Sequence, residues 1–116
     1  MYSRVISVYA KPGRLEDVKQ LIEKSIMPAA RRYAGFHYWC QMSSPETNKM
    51  MSITLWGNES DMNAFGNKEL AQIMTQLQLL IEVDTLAMET FHVDLAADAI
   101  PAMIVDQISD AILVSA

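Results

Sequence analysis

Residues 36–56 read FHYWCQMSSPETNKMMSITLW, and the order of residue types in this stretch decides the fold. Its two ends, 36–43 and 50–56, are rich in the aromatic and β-branched side chains that suit a pleated, half-buried surface. Its middle, Ser44-Pro45-Glu46-Thr47-Asn48, holds residues that favour turns. The stretch therefore reads as a hairpin. Upstream, YSRVISVYA at 2–10 places Val5, Ser7 and Tyr9 on one side and Arg4, Ile6 and Val8 on the other, a further strand that Pro12-Gly13 breaks. Between it and the hairpin the period changes: Leu15, Val18, Ile22, Ile26, Ala29 and Tyr33 recur every three or four residues and lay one apolar stripe along a helix. Pro28 falls inside that stripe, where it removes a backbone hydrogen bond and clashes with the carbonyl of Lys24, so a kink or a broken last turn is expected. Gly35 is expected to end the element. Downstream, Asn58 is placed to cap a short helix over 59–65, Gly66 to close it, and Asn67 to cap a second helix. That second helix buries Leu70, Ile73, Met74, Leu77, Leu80 and Ile81. TLAMETFHVD at 85–94 alternates again as a fourth strand. The order β-α-β-β-α-β predicts an α+β, ferredoxin-like arrangement, with an antiparallel sheet and both helices on one face.

Helices on one face normally leave the other face wet, yet both faces of these strands are apolar. Val5 and Tyr9 oppose Ile6 and Val8; Phe36, Tyr38 and Met42 oppose Trp39; Met51, Ile53 and Leu55 oppose Met50 and Trp56. The second face must also be buried. The simplest cover is another copy of the sheet, which predicts a homodimer with two sheets packed face to face.

A chain of 116 residues has room for one hydrophobic core, and 51% hydrophobic with 20% charged residues is a globular composition. The charge is uneven. All nine Lys and Arg lie in the first 68 positions, whereas residues 69–116 carry eight acids and no Lys or Arg. Sequence-independent nucleic-acid binding depends on a basic stripe, so nucleic acid is excluded as an expected partner. No apolar run approaches the roughly 20 residues of a membrane span, and the N-terminus opens directly on a strand pattern, so no membrane partner and a cytoplasmic location are expected. Cys40 stands alone, and His37 and His92 have no metal-ligand spacing, so no metal site is expected.

Several short motifs then stand together: Lys11-Pro12-Gly13-Arg14 after the first strand, Pro28 near the end of the first helix, Gly35-Phe36 opening the second strand, and Leu55-Trp56-Gly57-Asn58-Glu59-Ser60 with Phe65 after the third. Together these resemble the antibiotic biosynthesis monooxygenase family of dimeric α/β barrels, over residues 2 to about 95. The resemblance implies a small homodimer whose sheets form a barrel, with a pocket in each subunit between sheet and helices. It also implies a cofactor-independent monooxygenase acting on a small aromatic, quinol or enol substrate, with an isomerase or a non-catalytic binding module of the same fold as alternatives. The haem-degrading branch pairs the third-strand Trp with a His on the following helix and an Asn on the first strand. Here 57–81 contain no His and the first strand no Asn. Where the oxygenases of polyketide-type phenols carry an Asn four residues before that Trp, this chain has Ser52. No cofactor is therefore expected.

Oxygenation without a cofactor needs a dry aromatic pocket, a base, and donors that stabilise the substrate anion. Trp56, Ser52 and Thr54 share one face of the third strand, an indole N–H with two hydroxyls. Trp56 is expected to bound the pocket and act with His92, whose ordinary pKa of about 6.5 suits a base. Ser52, Thr54 and Met74 are expected to bind substrate, one of several methionines able to shape an adaptable lining for a flat apolar molecule. Arg31 and Arg32 are candidates for an anion clamp at the pocket mouth, weighed against a solvated helix face. His37, Tyr38, Trp39 and Cys40 read better as structural residues. Finally, Ile100, Ile104, Ile108 and Ile112 recur every four residues, so 96–116 are expected to form a helical extension docking on the dimer beside the domain at 1–95.

Overall fold

The computed structural model describes residues 1–97, which form four strands and two helices in the order β-α-β-β-α-β. All but the first two residues of the helix expected over 96–116 lie outside the described residues. The strands are β1 (Tyr2–Ala10), β2 (Phe36–Ser44), β3 (Lys49–Trp56) and β4 (Ile81–His92). They make one antiparallel sheet in the order β2-β3-β1-β4, the ferredoxin-like topology. The β2–β3 hairpin closes with Ser44 opposite Lys49, and Asn48 takes the left-handed conformation that Asn tolerates (φ 64°). The carbonyl of Asn48 accepts from Ala10 N–H at 2.9 Å, which ties the end of β1 to the turn.

The first helix runs as Leu15–Leu21, a π-helical turn at Ile22–Ile26, and Met27–Ala30. The disturbance expected at Pro28 takes this form. Proline offers no N–H to the carbonyl of Lys24, and one residue upstream Met27 N–H reaches back five residues to the carbonyl of Ile22. The helix ends at Ala30 rather than at Gly35. Tyr33 lies in the following turn, its ring packed edge-on against Trp56 and Phe65 and its hydroxyl donating to Glu69 Oε1 at 2.8 Å.

Asn58 caps the second helix as expected, its Oδ1 accepting from Asp61 N–H at 2.8 Å. Gly66 does not close that helix. Its backbone is helical (φ −62°, ψ −43°), and a π-helical turn at Gly66–Leu70 joins Glu59–Phe65 to Ala71–Leu77. A Cβ at this position would lie 2.9 Å from Arg4 Nη1, the end of a flexible side chain that would have to shift. Ile81, expected on the helix, instead opens β4 opposite Ala10 and is fully buried. Lys11 N–H donates to the carbonyl of Leu80 at 2.9 Å and so turns the chain into the sheet after Leu77.

The β1–β4 pairing is broken by a bulge between Ser7 and Tyr9, where Tyr9 N–H donates to Thr85 Oγ1 at 2.9 Å. The core lies between sheet and helices around Val18, Ile22, Ile26, Met50, Trp56, Met62 and Phe65. On the opposite face Tyr38, Met42 and Phe91 are 46%, 42% and 48% exposed, beside half-buried Val5, Met51, Ile53 and Leu55. Among the described residues no helix is long and apolar enough to cross a membrane.

Candidate functional site

Strand alternation decides which side chains face the helices. On β3 these are Met50, Ser52, Thr54 and Trp56; the register sets Gln41 of β2 and Ile6 of β1 beside Ser52, and Met88 of β4 beside Ile6. One pleat along, the row is Trp39, Thr54, Arg4 and Thr90. The two helices do not close down fully on these rows. A cavity of about 420 Å³ remains between them, roofed by Val18, Ile22 and Ile26 of the first helix and by Gly66 to Leu77 of the second. Both π-helical turns contribute to the roof, a placement typical of binding sites. Met88, on edge strand β4, lines the cavity yet is 57% exposed, so this edge is the open side.

The lining is apolar except at Arg4, Gln41, Ser52, Asn67 and the indole of Trp39. Three of these form one cluster. Gln41 Oε1 accepts from Trp39 Nε1 at 3.1 Å and from the Ser52 hydroxyl at 2.6 Å. Because an indole nitrogen only donates, the oxygen of the amide must face it, and the orientation of Gln41 is fixed. Its Nε2 is then left buried with no hydrogen-bond partner. An orphaned buried amide costs about 1–3 kcal/mol.

Among the described residues Arg4 supplies the one cation of the lining. Its guanidinium donates to Asn63 Oδ1 at 3.0 Å, to Thr90 Oγ1 at 3.2 Å and to the carbonyl of Met62 at 3.5 Å. Burial lowers its pKa from the ordinary value, and the charge of Glu59 opposes that shift.

The residues expected to form the site divide. Ser52 and Met74 line the cavity. Trp56 and Thr54 do not. Trp56 is 1% exposed, packed at centroid distances of 5.3 Å from Phe36 and 5.4 Å from Phe65, and its indole donates to Thr54 Oγ1 at 2.9 Å. The Thr54 hydroxyl in turn donates to the carbonyl of Arg4 at 3.2 Å, so both polar groups are spent within the core. His92 shares the helix-side face with Met88 but stands one turn of pleat past Thr90 at the exposed strand end, edge-on to Tyr2 and 3.7 Å from Asp94 Oδ1. It does not reach the cavity. Arg32 is exposed, and Arg31 lies with His37 at a separate small hollow beside β2. Trp39, read from the sequence as structural, lines the cavity, while Tyr38 and Cys40 point to the other face. Gln41 and Arg4 carry the polar chemistry and were missed. Counting back through the hairpin from its turn pairs Gln41 with Ser52, a signal available in the sequence.

Solved structures share this architecture. A Deinococcus radiodurans protein assigned to the antibiotic biosynthesis monooxygenases superposes with a TM-score of 0.71 at 16% identity, over 86% of this chain and 99% of that one. A Chloroflexus aurantiacus protein with the same assignment gives 0.66 at 13% identity, over 84% and 96%. The chain shares the fold of these proteins. A Nitrosomonas europaea protein of unknown function has this fold too, with a TM-score of 0.68 at 20% identity over 87% of this chain and 94% of that one. No family model and no curated protein sequence matches the chain.

Proposed function

We propose that the protein is a cofactor-independent monooxygenase of a small, flat aromatic, quinol or enol substrate, working as a homodimer. The observation that carries this reading is the buried, unpartnered Nε2 of Gln41, a residue that lines a largely apolar cavity. A donor already oriented by Trp39 and Ser52 stabilises an oxygen on which negative charge develops, without reorganising during the reaction. A phenol with one ring C–H and O₂ gives a quinone and one water, so no external reductant is needed. The names of the structural neighbours support the same class of reaction.

Among the described residues no His, Asp, Glu, Tyr or Cys lines the cavity. The substrate must therefore be acidic enough to enter as its own anion, or lose its proton to water. The same observation favours a second reading, a non-catalytic module that holds such a molecule. Oxygen uptake with a panel of quinols and enols separates the two: turnover that is lost in Gln41→Glu supports the oxygenase, and tight binding with no uptake supports the module. The apolar face away from the helices, with Tyr38, Met42 and Phe91 uncovered in the single chain, supports the homodimer.

A further inference from the structure

We infer that the ligand is an amphiphilic anion: a flat apolar body whose acidic group is held by Arg4 while an oxygen at its other end accepts from Gln41. This rests on the reading of the cavity as a ligand site and adds the charge and polarity of the ligand. Three observations carry it. Arg4 lines the cavity, and every group it bonds is neutral: the Asn63 amide, the Thr90 hydroxyl and the Met62 carbonyl. It enters none of the ion pairs among the described residues. With no carboxylate in the lining and Glu59 acting on it only through space, this partly buried cation is available to an anion, whose carboxylate geometry the guanidinium fork matches.

The second observation is Gly66. A helix-interior glycine costs roughly 1 kcal/mol relative to alanine, and here it lets Arg4 Nη1 sit where a Cβ would lie 2.9 Å away. The third is spacing. Arg4 and Gln41 are two strands and one pleat apart, so their Cα atoms are separated by roughly 12 Å on strand geometry. Both residues line the cavity, and its 420 Å³ is ample for about two fused rings with an oxygen at each end.

The test is calorimetric titration of the whole chain with 6-hydroxy-2-naphthoate and with its neutral methyl ester. The acid should bind about tenfold tighter than the ester or more. Arg4→Gln should bring the two within about twofold while leaving the ester unchanged, and Arg4→Lys should retain part of the preference. Because Arg4 also ties β1 to β4 and the second helix, Gly66→Ala provides an independent variant: it keeps the charge, displaces the fork, and should weaken the acid but not the ester. Equal binding of acid and ester, or an acid preference that survives Arg4→Gln, overturns the inference and leaves the cavity reading standing. If neither compound binds, both fall together.

Discussion

Two regions of the same sheet face, one pleat or two apart on β3, have opposite characters. Around Trp56 every polar group is matched: indole to Thr54, Thr54 to the Arg4 carbonyl, and three aromatic rings packed about the indole. Around Ser52 the helices leave space, and the amide of Gln41 keeps a donor unspent. The difference teaches that residue type alone does not mark a site. A tryptophan with a hydroxyl beside it is here a closed piece of core, whereas a glutamine with a serine opposite is an open receptor.

The largest expected effect separates these roles. Trp56→Ala removes a fully buried ring and should cost about 3–5 kcal/mol in denaturant unfolding. A loss below about 1 kcal/mol would mean that the Trp56 region is not the packed core described. Gln41→Glu is the reciprocal change. It preserves the acceptor for Trp39 and Ser52 but turns the orphan donor into an acceptor, so affinity for a phenolate or enolate should fall about tenfold or more in calorimetric titration. Unchanged affinity would remove Gln41 from the site. On the other face, Ile53→Lys should shift the protein to monomers in sedimentation at micromolar concentration, and a wild-type monomer would contradict the homodimer.

The smallest effect is electrostatic. The hydrogen bond to Glu69, with lesser contributions from burial and nearby carboxylates, raises the Tyr33 hydroxyl above its ordinary pKa of 10.0. A group raised on folding contributes stability that is present below the unfolded value and is lost as pH climbs through the folded one. The decline of stability above about pH 10 should therefore be shallower in Tyr33→Phe, and equal declines would show that this bond is not retained in solution.

Much of the fold was legible because periodicity is a backbone property: the four strands and both helices follow from alternation and from the apolar stripes. The misreadings are tertiary. Gly66 reads as a helix stop because a glycine commonly ends a helix, but it continues the helix beside Arg4, which is 62 positions away in the sequence. Ile81 fits a helical stripe equally well, and only pairing with Ala10 assigns it to β4. For the site, strand alternation brought Ser52 to the helix side, yet the same alternation admitted Trp56 and His92. Which of these meets the cavity depends on where the helices end and how far the face extends, and no local pattern encodes that.

One spectrum addresses both regions at once. In a nitrogen–proton correlation experiment with 6-hydroxy-2-naphthoate methyl ester, the Gln41 side-chain amide and the Trp39 indole should shift with a common saturation curve. The Trp56 indole, already bonded to Thr54, should stay in place. A Trp56 indole that moves while the Gln41 amide does not would contradict the assignment of the open receptor to Gln41.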